Sequence, residues 1–158
     1  DYAAKVQAHD SALDDTVEID LQSGLKHANI VKIIQWWAID GALVIVMEFA
    51  PSGDIWEWLA DRECLGEEEV WAVTENIGAA LGYLHKTSIS DLHRDIKPVS
   101  AADPATTYCG TPAHMYPELL EANARPYGPG FDAWALGVTL HELASGVHPF
   151  ADDAGHVT

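Results

Sequence analysis

His93-Arg94-Asp95-Ile96-Lys97-Pro98 sets a carboxylate and an ammonium two residues apart, Asp95 and Lys97, on a stretch with little regular pattern. Residues 87–111 around it show no sustained apolar period and read as loop. A His-Arg-Asp triplet alone is more often an ordinary surface loop, so its meaning depends on what flanks it.

Upstream of the loop, Val70, Val73, Ile77, Leu81 and Leu84 recur at three and four after an acidic first turn from Glu67, which predicts an amphipathic helix with a favourable dipole. Residues 30–37 and 43–49 are rich in β-branched and aromatic side chains. Asp40-Gly41 between them suits a tight turn, so the pair should be antiparallel strands. Before them, Val17, Leu21 and Leu25 at fourfold spacing predict a helix over residues 14–26, broken by His27-Ala28-Asn29. Pro51, Ser52 and Gly53 end this pattern and predict a hinge between residues 1–50 and 51–158. Downstream, Pro126, Gly128, Pro129 and Gly130 mark residues 122–130 as loop. A final helix over about residues 132–144 is expected to bury Leu136, Leu140 and Leu143. Strands with one helix first, then mostly helices, indicate an α+β chain in two lobes.

Composition narrows the function classes. Of 158 residues, 48% are apolar and six are Trp, which supports a packed core. With 25 acidic against 8 basic residues the formal charge is -17, so nucleic acid and anionic lipid are poor partners. That charge reads first as a solvated surface and second as a field attracting basic substrates. Cys64 and Cys109 have no paired metal spacing, which implies free thiols in a reducing, cytoplasmic compartment. The longest pure apolar run is residues 42–47, too short to span a membrane. A chain that opens at Asp1 and stops at Thr158 just past a helix reads as a fragment.

The block from His93 to Pro98 resembles the catalytic loop of serine/threonine protein kinases. In that family the Asp orients the attacking hydroxyl and the Lys neutralises charge on the transferred phosphoryl group. The resemblance continues in order along the chain. Ala3-Ala4-Lys5 resembles the strand motif whose lysine holds nucleotide phosphates, and Glu18 matches the helix glutamate that pairs with it. The resemblance further implies that Met47 borders the back of the nucleotide pocket, that Glu48 and Ala50 lie on the segment meeting adenine, and that Asp54 sits near ribose. Thr107-Tyr108-Cys109-Gly110-Thr111-Pro112 resembles the end of an activation segment, and Tyr116-Pro117-Glu118 stands where Ala-Pro-Glu is usual. Thr107 holds the common phosphorylation position, where phosphate would pair with Arg94; a solvated hydroxyl is the plainer alternative. Asp132-Ala133-Trp134-Ala135-Leu136-Gly137 resembles the helix whose Asp braces the backbone near His93 and Arg94. Singly, each match has an ordinary reading: Lys5 and Glu18 as surface charges, Met47 as core filler, Asp132 as a helix cap. Their shared order makes the resemblance specific. It implies a two-lobe kinase-like fold, ATP and Mg as cofactors, and a protein substrate or partner.

Several of the family's parts have no counterpart. No Gly-rich loop precedes Lys5, and Ser100 replaces the metal-binding Asn that should follow the catalytic loop. Only residues 101–105 separate Ser100 from Thr106, where the family carries the metal-binding Asp-Phe-Gly and a longer activation segment. Asp103 is the only carboxylate in that gap and the only candidate metal ligand there. Gln22 stands one turn beyond Glu18, where the family packs an aliphatic residue against the missing Phe. Three readings follow: an active kinase whose sequence here is incomplete, a pseudokinase that binds another protein without phosphoryl transfer, and a fragment that does not fold stably.

Overall fold

A computed structural model describes residues 1–8, 16–59, 61–86, 96, 114, 116–117 and 128–152; for residues 17, 18, 56 and 57 the description covers the backbone alone. The chain forms two compact units, Asp1–Ser52 and Gly53–Thr158.

The first unit is built on a three-stranded antiparallel sheet of β1 (Tyr2–Ala8), β2 (Ile33–Ile39) and β3 (Ala42–Glu48), in the order β1-β3-β2. β2 and β3 are joined by Asp40 and Gly41 alone. Both have positive φ, 49° and 73°, which gives a two-residue hairpin the twist its strands need. The antiparallel pair expected from sequence is thus present. Its strands start and end within three residues of the expected positions, and a register irregularity lies between Ile33 and Gln35. Alternation then decides the core, because residues directly opposite one another share a sheet face. Ile33, Leu43 and Ile45 are buried on one face, with Trp36 and Met47 packed against them. On the other face Tyr2, Val6, Trp37 and Ile39 are exposed.

Helix α1 (Val17–Ser23) covers the buried face through Ile19. Here the structure corrects the sequence reading. The helix ends at Ser23 rather than residue 26, and the expected stripe is not the buried one, since Leu21 is exposed and Leu25 only half-buried. Over two turns a fourfold stripe is too short to outweigh packing, and the sheet selects Ile19.

The second unit contains α2 (Ile55–Leu59), α3 (Glu67–Leu84) and α4 (Gly130–Ser145). The stripe along α3 faces the core as expected and is shared between two clusters. Val70 and Val73 pack against Leu59, Leu65 and Leu143, while Ile77 and Leu84 pack around Leu81, Ile96 and Ala135. The start of α3 therefore meets the end of α4 and its end meets the start of α4, so the two helices run antiparallel. At the N-terminus of α3, Glu69 Oε2 accepts the Gly66 N–H at 2.9 Å. At the far end of α4, Gly146 has a φ of 74° and donates its N–H to Glu142 O at 2.8 Å. A Cβ there would run into the Glu63 carbonyl, so glycine is required on both grounds.

On α4 the buried residues are Asp132, Ala135, Val138, Thr139 and Leu143. Of the three leucines expected inside, only Leu143 is fully buried; Leu136 and Leu140 are half-buried. The arc turns because a carboxylate and a hydroxyl occupy positions that a leucine-only reading leaves outside.

Candidate nucleotide and catalytic site

In the first unit the register fixes where the residues expected to hold nucleotide stand. Lys5 pairs with Ile45 and Ala3 with Met47, so Lys5, Ile45 and Met47 lie on the sheet face that Ile19 of α1 covers. Lys5 keeps an exposed side chain at the margin of that face. Met47 is half-buried and packed against the cluster. Glu18 directly precedes Ile19 on α1; its side chain, and with it the Lys5–Glu18 ion pair expected from sequence, lies outside the described residues. Glu48 ends β3 with an exposed side chain and donates its N–H to Lys32 O at 3.0 Å; Ala50 is exposed two residues on. Gln22 Nε2 donates to the Val31 carbonyl at 2.9 Å, tying α1 to the chain entering β2.

In the second unit, Asp54 is half-buried immediately before α2, and its carbonyl accepts the Trp58 N–H at 3.2 Å. Asp132 has a fully buried side chain and bonds His85 Nε2 through Oδ2 at 2.8 Å. A buried carboxylate on an apolar helix needs such a donor. His85 is the C-cap of α3, so this contact joins the end of α3 to the first turn of α4. The expected contact of Asp132 with the backbone near His93 and Arg94 falls outside the described residues, as do Asp95, Lys97, Ser100, Asp103, Thr107, Thr111 and Glu118. Of the catalytic-loop block, Ile96 alone is described. It is 6% exposed and sits between Leu81 of α3 and Ala135 of α4. Tyr116, from the Tyr116-Pro117-Glu118 motif, packs on Phe131 and Trp134 at centroid distances of 4.9 and 5.7 Å.

Two pairings were not anticipated. His85 lies 47 residues from Asp132, and no period links them. His114 Nε2 meets Glu142 Oε2 at 2.9 Å across 28 residues, again with no local pattern to announce it.

A sequence model of the protein kinase domain matches residues 1–101 and 99–158. The chain belongs to the protein kinase domain family. Its relatives include human NUAK family SNF1-like kinase 1, 33% identical over 155 residues covering 84% of this chain and 23% of that protein. Serine/threonine-protein kinase TIO of Arabidopsis thaliana is 35% identical over the same length, covering 84% of this chain and 11% of its own. Among solved structures, Rad53 1–466 in complex with AMP-PNP superposes with a TM-score of 0.76 at 27% identity, covering 96% of this chain and 43% of that one. The kinase domain described here is thus of the eukaryotic serine/threonine type, with a kinase-like fold of small antiparallel sheet and helices. It spans about a quarter or less of the length of these curated relatives. Among the described residues no helix is long and apolar enough to cross a membrane.

Two features of the matches bear on the candidate site. The family match is split, and its halves meet at residues 99–101. The alignment to the human relative runs over 155 positions yet takes in only 84% of 158 residues, which leaves roughly twenty positions of the relative opposite gaps in this chain.

Proposed function

We propose that this chain is a serine/threonine protein kinase domain that keeps the nucleotide-positioning and hydroxyl-orienting residues but does not transfer phosphate as it stands. The observation that carries the reading is the break in the family match at residues 99–101. This is the join after Ser100 where the family's metal-binding Asp-Phe-Gly belongs. Phosphoryl transfer depends mainly on positioning and on neutralising charge spread over the phosphate oxygens, to which metal ions contribute strongly. Magnesium requires near-octahedral oxygen ligation, and Ser100 with Asp103 offers one carboxylate where the family supplies an Asp and an Asn. The donor set therefore fits a catalytic magnesium poorly.

In this reading residues 1–50 form the small lobe and 51–158 the large lobe. Lys5, supported by Glu18, holds nucleotide phosphates; Met47, Glu48 and Ala50 border adenine; Asp54 approaches ribose. Asp95 orients a substrate hydroxyl and Lys97 neutralises a phosphate oxygen. The burial of Ile96, the residue between those two, supports an anchored catalytic loop. Thr107, Thr111 and Glu118 would belong to the activation segment, with ATP and a protein as partners in the cytoplasm.

A thermal-shift titration with ATP tests the binding half. Ligand at about a hundred times its dissociation constant stabilises a fold by about 2.7 kcal/mol. The expected result is a weak response, lost in Lys5→Ala and unchanged by magnesium. A shift that needs magnesium would show an intact metal site and overturn the reading. No response to ATP with or without magnesium would leave the second reading, a protein-binding pseudokinase, for which the missing metal ligands speak.

A further inference from the structure

We propose that His114, Glu142 and His148 form a zinc(II) site at the C-terminal end of α4, separate from any nucleotide-associated metal. One ligand atom from each of the three side chains lies within 4.8 Å of the other two. Two imidazoles and one carboxylate form a ligand set suited to zinc, binding at about 2.0–2.2 Å and leaving a fourth position for water. Tetrahedral coordination at those lengths places ligand atoms about 3.4 Å apart. The His114–Glu142 pair, at 2.9 Å, has to open slightly, and the widest separation has to close by at most about 1.4 Å.

The second, independent observation is the state of His114. Its side chain is 10% exposed, Nε2 is engaged with Glu142, and Nδ1 is buried without a hydrogen-bond partner. Zinc bound through Nε2 would leave that Nδ1 to carry the ring proton, so the orphaned atom itself gains no partner; what the buried ring offers is a ligand nitrogen already held against Glu142. Beside it Glu142, 14% exposed at its side chain, brings a carboxylate into a largely desolvated position. A divalent cation replacing the proton shared by the pair would neutralise that charge better than a neutral imidazole does.

The third ligand stands on a pinned turn. Gly146 reverses the chain after α4, and Ser145 Oγ contacts the His141 and Val147 carbonyls at 2.7 and 3.1 Å. Phe150 then stacks on Trp134 with rings 3° from parallel at 5.5 Å. His148 lies between these anchors, its ring edge-on to His114 with centroids 5.5 Å apart. Its Nδ1 accepts the Phe150 N–H at 3.2 Å; binding zinc through Nε2 requires the Nδ1–H tautomer and therefore gives up that hydrogen bond.

Titrating the metal-free 158-residue chain with zinc chloride against a chromophoric chelator tests the site. One zinc should bind per chain and raise the melting temperature. His148→Gln and Glu142→Gln should each weaken binding at least about tenfold, since losing even an outer-sphere partner of a ligand costs about 10–100-fold. His27→Gln and Cys64→Ser, outside the site, should leave affinity unchanged. Both ligand variants alter partly exposed side chains, and a melting transition confirms that they fold. Equal zinc affinity in His148→Gln and the parent, loss of binding in Cys64→Ser, or equal affinity for the urea-unfolded chain would each overturn the proposal.

Discussion

Among the described residues, the unit of residues 1–52 buries only apolar side chains, Ile19, Ile33, Leu43 and Ile45, and places its charges at the margins. The unit of residues 53–158 buries Asp132 and Thr139 next to Ala135, Val138 and Leu143, and carries the nearly buried pair of His114 and Glu142. A sheet face can be specified by alternation alone, because any apolar residue of suitable size satisfies it. A buried carboxylate cannot, because its desolvation has to be offset by particular donors in particular places. The sheet unit is therefore tolerant in kind and the helical unit exacting.

The largest expected effect is on the exacting side. Asp132→Ala leaves His85 without its buried partner, and breaking a buried pair costs about 3–5 kcal/mol. Against a typical total of about 5–15 kcal/mol, urea unfolding should show a large loss for the second unit. Asp132→Asn, which keeps a hydrogen-bond acceptor, should lose less. A cost below about 1 kcal/mol for Asp132→Ala would break the comparison.

Next comes Leu43→Ala in the central strand. Its side chain is fully buried, and such truncations cost about 2–5 kcal/mol through lost transfer energy and the cavity left. Leu43→Met, which conserves volume, should cost less than about 1.5 kcal/mol. Tolerance of Met at Leu43 together with intolerance of Ala at Asp132 would widen the contrast between the units.

The smallest effect lies on an exposed edge. The Arg62 guanidinium, 2.6 Å from Glu69 Oε1, and then the Gly66 N–H hold the Glu69 carboxyl below its ordinary value of 4.5. A depressed carboxyl contributes stability that is present above its unfolded value and is lost as pH falls through the lower folded value. Glu69→Gln should therefore be slightly less stable than the parent at neutral pH, and the two should converge in acid, as pH falls from the ordinary value of 4.5 through the depressed folded one. Melting temperatures measured across that range check it; a difference that persists or widens in acid would assign the effect to packing.

How much of this was legible in sequence follows the same division. Asp40-Gly41 announced the hairpin because positive φ at two successive positions has few solutions. The 18-residue α3 was long enough for its stripe to be unambiguous. By contrast α1 has seven residues and α2 five, too short for a period, so Ile19 was missed and α2 was not anticipated. Asp132 was found only through its resemblance to a family motif, since nothing in the apolar pattern predicts a carboxylate inside. Its partner His85 and the pair of His114 with Glu142 are contacts across 47 and 28 residues. Such contacts arise from the packing of α3, α4 and the segments beside them, and no local spacing encodes them. For Asp95 and Lys97 the sequence remains the source, with the buried Ile96 the one described residue between them.

The central claim, a kinase domain without metal-dependent turnover, is tested most directly by a phosphate-transfer assay. The chain is incubated with radiolabelled ATP, magnesium and a basic protein substrate, with Asp95→Asn as the control for contaminating kinases. The expected result is incorporation at background level, equal in the two proteins and unaffected by magnesium. Magnesium-dependent labelling that disappears in Asp95→Asn would contradict the claim and would show that Asp103 or another carboxylate holds the metal.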